Sequence, residues 1–407
     1  MIRPNMGPEG TLVRKSRVTP EAYSDVHVTI VAYPYRDRVG ELTLRNFLRL
    51  FPPGLAAVHV VTGKAKKKGL NGMHVEQVPF VEPKGGLTMR LCQYLLSQIR
   101  LAAMVHRLAP ASSAFLFHIG MTANPLPLLV ARMRRKPTVL VFTGALDKTI
   151  RQLMTLEGGT LAALTSWMSP LVQAISLSIA SKVAVQSESV TKFANLERWR
   201  HKIVIFGAIP VDTDEFRVIR PVTERQDAIG YVGRLSPEKG VREFVDALPV
   251  ILDGLPGARI VIAGEGPLEP YVQSSLSRLN GRDRVQYLGW VNHRTLPELL
   301  NELKILVLPS KTEGLPAIAE EAMACGTIVL ASPVGGIPDI IADGVSGFLL
   351  PSTEPGSMLD SISSVLHRKN LGDVSDNGRK IIVSRYSLQV KALEAHDFLS
   401  TIGVRTV

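Results

Sequence analysis

Two short stretches in the second half of this 407-residue chain combine residue types and spacings suited to a phosphorylated, hydroxyl-rich ligand. In YVGRLSPEKG, Arg234 and Lys239 stand five positions apart around Pro237, with Gly233 and Gly240 permitting a turn. Two cations on one loop suit a diphosphate, Arg as a planar fork of donors and Lys as a point charge. In EGLPAIAEEAMACG, Glu313 precedes a small-residue helix and Glu321 sits about a turn inside it. Pro316 favours the first helical turn, where free N–H groups and the helix dipole attract an anion. Carboxylates beside a diphosphate repel it, so their use there must be hydrogen bonding to hydroxyls. A solvated helix face is the plainer explanation of acids here. It suits Glu320 but not Glu313, which lies before the helix.

These loops need strands behind them. Apolar, Val- and Ile-rich runs recur as VHVTIVAY, AVHVVTG, AFLFHIG, TVLVFTG and KVAVQS in the first half. In the second half they are IGYVGRL, ARIVIAGEG, VQYLGWV, KILVLPS and TIVLASPVGG. Runs without strict alternation belong to strands buried on both faces, and their alternation with helical segments predicts α/β architecture with two doubly wound parallel sheets. In such sheets ligands bind beyond the carboxyl ends of the strands. The length asks for two domains. The polar, proline-containing stretch from Ala208 to Arg225 marks the boundary.

Charge separates the halves. Residues 1–202 hold 27 Lys+Arg against 11 Asp+Glu, a net +16, while the remainder holds 20 against 25, a net −5. A basic half suits nucleic acid, an anionic membrane surface or an anionic substrate. Two cysteines, Cys92 and Cys325, make no disulfide framework or zinc site and fit a reducing cytosol. The N-terminal stretch shows no signal-peptide core, so a cytoplasmic setting is expected. The uncharged segment Gly158–Ser181 is long enough to span a bilayer, yet its Gly, Pro, Ser and Thr content predicts two packed helices. Leu87–Leu108 has apolar residues at helical spacing among Arg90, Arg100, His106 and Arg107. It reads as a core-facing helix, with a membrane-surface helix as the alternative.

GRLSPEKG and EGLPAIAEEAMACG, followed by SPVGGIPDIIADGVSGFLL, together resemble the retaining GT-B glycosyltransferases of glycosyltransferase family 4, also called group 1. VDTDEF, VIAGEGP and LGWV occur in the family's order and spacing, so the resemblance runs from about Ile203 to the C-terminus. It implies two Rossmann-like domains facing across a cleft. Residues 1–207 would bind the acceptor and 208–385 the nucleotide-sugar, with 386–407 as a helix returning to the first domain. Arg234 and Lys239 would hold the diphosphate and stabilise the leaving group, and Glu313 and Glu321 would bind sugar and ribose hydroxyls. Gly233, Gly264, Gly314, Leu315, Pro316 and Ala317 would line the donor, and Trp290 and Val291 would edge the base. No metal or cofactor is implied, because basic residues and a helix terminus do the charge work.

The first half departs from the family pattern. The loop after the first run, YPYRDRVGEL, has only Gly40, and Thr143 stands where relatives carry a histidine. His118 is the residue that could compensate, which makes His118 and Thr143 the acceptor-side candidates. Asp212 and Asp214 imitate a metal motif of another glycosyltransferase fold but read as a solvated turn. The leading expectation is a peripheral membrane enzyme of glycan biosynthesis that transfers sugar to a lipid or lipid-linked glycan. A soluble sugar or sugar-phosphate acceptor and a nucleotide-sugar epimerase are the alternatives. A nucleic-acid binder leaves the acidic second half and the 6% aromatic content unexplained. A nicotinamide-dependent oxidoreductase would need a GxGxxG after the first run, which is missing.

Overall fold

The computed structural model describes residues 26–33, 44–51, 57–62, 74–78, 87–118, 124–142 and 160–404. Thr143, the Lys64–Gly69 basic run and nearly all of the Tyr33–Leu42 loop lie outside the described residues.

Thirteen strands are described. The first seven are β1 His27–Ala32, β2 Ala57–Thr62, β3 His74–Gln77, β4 Ala114–His118, β5 Thr138–Phe142, β6 Lys182–Val185 and β7 Ile203–Ile205. They form one sheet in the order β3-β2-β1-β4-β5-β6-β7. The other six are β8 Ala228–Val232, β9 Arg259–Ala263, β10 Val285–Tyr287, β11 Ile305–Leu308, β12 Ile328–Ala331 and β13 Phe348–Leu349. Their order is β10-β9-β8-β11-β12-β13. Every pairing between these strands is parallel. Strands β1, β4, β5, β8 and β11 are buried almost end to end, which is why their sequences are continuous apolar runs.

In the first unit, helices α1 Leu87–Leu108, α2 Pro125–Met133 and α3 Thr160–Ile179 cover one face of the sheet. Leu101, Val105, Leu128 and Leu177 pack there against Phe115, Phe117, Leu140 and Val183. α3 is one continuous helix with Pro170 inside it, so the expectation of two packed helices is corrected. A proline removes one backbone hydrogen bond but need not end a helix whose flanks are held by packing. No helix among the described residues is long and apolar enough to cross a membrane.

Helix α4 Glu188–Phe193 follows β6. In the second unit the helices are α5 Val241–Gly254, α6 Glu269–Ser277, α7 Leu296–Glu302, α8 Ala317–Ala324, α9 Ile337–Ile340, α10 Pro355–Leu366 and α11 Leu371–Arg385. The final helix, α12 Leu388–Thr401, contributes Ala395, Phe398 and Leu399 to the core on the other face of the first sheet, where Phe398 stacks on Phe206 at 3.8 Å. The two chain crossings are tied together: Val211 N–H donates to the Tyr386 carbonyl at 2.9 Å, and Leu388 N–H to the Val211 carbonyl at 3.0 Å.

Buried Arg225 fixes the ends of two helices that frame the site. Its guanidinium donates to the Leu300 and Leu303 carbonyls at the end of α7 and to the Cys325 carbonyl at the end of α8. A cation there satisfies orphan carbonyls and complements both helix dipoles.

Glu320 is not the solvated acid that its sequence position suggests. It is wholly buried, and neither carboxylate oxygen has a partner among the described residues. Burial drives its pKa well above the usual carboxylate value, opposed by Lys391 and reinforced by Glu321, so the group is held neutral. The unfolded chain releases this proton near the ordinary carboxylate pKa while the folded chain keeps it. The penalty therefore grows as pH rises between those two values. Glu320→Leu is expected to stabilise the protein by about 1–3 kcal/mol near neutral pH, with a smaller gain near pH 4. Thermal melts of both proteins across pH check this, and a gain that grows toward acid pH contradicts it.

Candidate functional site

The candidate site lies where β8, β9 and β11 end. Beyond β8 the chain enters a single 3₁₀ turn at Pro237–Lys239 and then Gly240, whose φ of +70° launches α5. A Cβ on Gly240 would stand 1.9 Å from the Pro309 carbonyl oxygen, so the loop presses directly on the end of β11. Tyr231, 1% exposed, donates its hydroxyl to the Arg234 carbonyl at 2.8 Å and pins the loop from below. Burial and three nearby carboxylates, with Glu313 foremost, keep that phenol protonated.

This packing brings Lys239 to Glu313. Lys239 Nζ lies 2.6 Å from Glu313 Oε2, and Ser310 Oγ donates to Oε1 at 2.7 Å. Glu313 is 6% exposed and Lys239 about a third exposed, so the carboxylate is locked and the ammonium retains access to solvent. Glu321 is held on the far side of α8. His293 Nε2 lies 2.9 Å from Glu321 Oε1. The hydrogen bond to Glu321 raises the His293 pKa against a desolvation penalty, and burial raises that of Glu321. The stability that His293 gains is full below its ordinary value of 6.5 and fades as pH rises through its raised value.

His293 and Glu321 open onto a cavity of about 230 Å³, lined also by Gly233, Arg234, Gly264, Trp290, Val291 and Ala317, together with Ile318, Glu265 and, from the first unit, Asn46. Gly264, at φ +139°, lets β9 turn against β8: a Cβ there would fall 1.8 Å from the Gly233 carbonyl oxygen. Gly233 is open by comparison, since its Cβ would meet only the Tyr231 side chain, at an ordinary contact distance of 3.8 Å.

The sequence-predicted residues thus fall into two linked groups. Gly233, Arg234, Gly264, Trp290, Val291, Ala317 and Glu321 share the cavity, while Lys239 and Glu313 form a clasp beside it, joined through the Arg234–Lys239 loop. Pro316 caps α8. Gly314 and Leu315 are engaged elsewhere: the Gly314 carbonyl accepts from Gly336 N–H at 2.6 Å, and Leu315 N–H donates to Gln186 Oε1 of the first unit at 2.8 Å. The Leu315 N–H is thus taken up by Gln186 rather than left free for a ligand.

His118 is also removed from the acceptor side. It is 1% exposed and stacks on Phe47 at 4.2 Å, and burial lowers its pKa to about 3. It is a neutral core residue with no surface to offer. Asp212 closes its own turn by accepting from Asp214 and Glu215 N–H, and pairs with Arg49 of the first unit at 3.0 Å. Among the described residues no cluster of three or more His, Cys, Asp or Glu could hold a metal ion.

His293 and Gln186 escaped sequence reasoning. His293 follows LGWV by one residue, a position that tertiary folding alone brings to Glu321. Gln186 acts across the domain junction, beside Ser189, whose N–H and Oγ both bond Asp339 at 2.8 Å. His293→Ala is expected to weaken nucleotide binding about tenfold, because Glu321 is left buried without its partner. Calorimetric titration with a nucleoside diphosphate measures this, and unchanged affinity would remove His293 from the site.

Residues 212–381 match the family model described as Glycosyl transferases group 1. The chain is 33% identical over 190 residues to an uncharacterized glycosyltransferase of Methanocaldococcus jannaschii, covering 46% of each. It is 32% identical over 195 residues to the D-inositol 3-phosphate glycosyltransferase of Mycolicibacterium smegmatis, covering 46% of this chain and 44% of the relative. The chain thus spans under half the length of these curated relatives. Among solved structures, Anabaena HepE in complex with UDP-glucose superposes with a TM-score of 0.70 at 18% identity, over 92% of this chain and 99% of that one. That likeness establishes the fold as GT-B.

Proposed function

We propose that this chain is a retaining glycosyltransferase that moves a sugar from a nucleotide-sugar to an acceptor lipid or lipid-linked glycan. The observation that carries the reading is the clasp of Lys239 on Glu313 beside a cavity whose far wall holds Glu321. The cations Arg234 and Lys239 and the hydroxyl acceptors Glu313 and Glu321 are gathered at this one site, as a sugar, a diphosphate and a ribose would require. Small-molecule sites commonly measure roughly 300–1,000 Å³, so the 230 Å³ cavity suits the nucleoside portion. The sugar and diphosphate then extend toward Lys239.

In this reading Trp290 and Val291 flank the base, and Glu321, oriented by His293, accepts from the ribose hydroxyls. Arg234 and Lys239 neutralise the diphosphate as the bond to the sugar breaks, a charge-stabilising role that asks for no bound metal. Glu313, held by Ser310, keeps lone pairs for sugar hydroxyls. The new bond forms on the face from which the diphosphate leaves, and the phosphate takes the acceptor proton. The basic first unit favours an acceptor presented at an anionic membrane.

The test is a panel of nucleotide-sugars screened for thermal stabilisation, then for nucleoside diphosphate release that depends on added acceptor. Release driven by lipid-linked acceptors supports the full reading. Release driven by soluble sugar-phosphates alone replaces the acceptor, and turnover without any acceptor replaces transfer with epimerisation.

A further inference from the structure

We infer that the outer face of α1, α2 and α3 is a docking surface for an anionic lipid bilayer. The inner face of this layer is ordinary core. The outer face is not an ordinary surface. On α1, Met89, Leu91, Leu95, Leu96 and Ile99 are exposed, with Ile99 reaching 59%. The adjoining α2 exposes Leu126, Leu129 and Met133, and α3 exposes Leu171 and Ile175. Single exposed apolar residues are commonplace, but ten of them on three helices, the middle one packed against both others, mark an interaction site.

Charge selects the partner. From Pro83 to Leu146 the sequence contains eight Lys and Arg and no Asp or Glu, and α3 carries no charged residue at all. Arg100 and Arg107 border the α1 stripe and line a hollow of about 390 Å³ shared with Gln77 and Met104. Arg107 is tethered to Glu76 at 2.9 Å while remaining 60% exposed. Arg132, Arg134 and Arg135 lie exposed at the end of α2. Apolar side chains beside an excess of cations, with Glu76 the one carboxylate paired among them, match the acyl boundary and phosphate layer of an anionic bilayer. On α1 the exposed apolar residues fall toward its start, the end that follows β3 and so lies nearer the carboxyl ends of the strands, the side on which doubly wound sheets bind ligands. An acceptor held in the bilayer would approach from that side. This surface does not depend on the donor reading, and its failure would leave that reading intact.

The experiment is co-sedimentation of the full chain with phosphatidylcholine vesicles, with and without phosphatidylglycerol. The protein is expected to sediment with the anionic vesicles, less so at high salt, and to remain in solution with the neutral ones. Leu95→Glu/Ile99→Glu and Arg100→Glu/Arg107→Glu are each expected to weaken binding at least ~tenfold. Melting temperature and nucleoside diphosphate binding should be unchanged in both variants, separating a lost surface from a lost fold. Equal behaviour with both vesicle types, or full binding by both variants, overturns the inference. So does a concentration-dependent dimer that Leu95→Glu/Ile99→Glu dissolves in a protein that ignores vesicles, since the face would then bind a second copy.

Discussion

Lys239→Ala and Glu313→Gln each lower sugar transfer by roughly 10²–10³-fold, the loss typical of removing one group aimed at developing transition-state charge, while the fold survives. The geometry explains why both matter. Lys239 Nζ sits 2.6 Å from Glu313, so each residue orients the other before any donor arrives. Without Lys239 the departing diphosphate loses a point charge and Glu313 loses an anchor. Without the Glu313 charge the ammonium is free to wander. The cost to stability is small, because Lys239 is partly hydrated and Ser310 still holds the residue at position 313. Transfer assays paired with thermal melts measure both effects. Turnover near the wild-type rate in either variant defeats the assignment of the clasp to catalysis.

Gly264→Ala is the largest expected effect on the framework. The backbone there has φ of +139°, which non-glycine residues seldom adopt, and the new methyl would lie 1.8 Å from the Gly233 carbonyl oxygen. Neither atom can give way cheaply. Gly264 N–H bonds the Gly289 carbonyl at 2.7 Å, and Gly233 N–H bonds the Ala263 carbonyl at 3.0 Å. A loss of about 3 kcal/mol is expected from strain and overpacking together. Gly233→Ala adds its methyl where nothing lies within 3.8 Å, so stability holds. Its methyl intrudes on the cavity and nucleotide affinity falls. Chemical denaturation and nucleotide titration of the two variants separate a glycine kept for the backbone from one kept for the ligand. Equal stability losses in both would refute that distinction.

The ten apolar runs read from the sequence all became strands: nine are interior strands, largely buried and so written in Val, Ile and Leu, and the tenth, the edge strand β10, was read from a longer apolar run although only its Val285 is buried. β3, β7 and β13 were not legible for the converse reason. Each is an edge strand of four residues or fewer, and HVEQ in β3 shows only exposed and half-buried positions. Pro170 misdirected the reading of α3, since proline is a helix breaker only where packing does not carry the helix through.

The site was legible where chemistry and local sequence coincide. Arg234, Lys239, Glu313 and Glu321 sit in turns and a helix start whose glycines and prolines announce them. What failed was orientation. Glu320 and Glu321 are neighbours on α8, yet Glu321 reaches the cavity and Glu320 enters a buried pocket near Lys391 of α12, a helix the local pattern knows nothing of. His118 read as an available imidazole until Phe47 covered it. Gln186 and His293 act through contacts 129 and 28 positions away, and no local signal encodes a distance of that kind.

In the proposed function the Arg234–Lys239 loop, the Glu313 clasp and the Glu321–His293 pair form one nucleotide-sugar donor site. Calorimetric titration of the wild-type protein, Lys239→Ala and Glu321→Ala with nucleoside diphosphates tests it most directly. One saturable site is expected in the wild type for at least one base, weakened about tenfold or more in each variant. A wild-type protein that binds none of them, or variants that bind as tightly as the wild type, would contradict it.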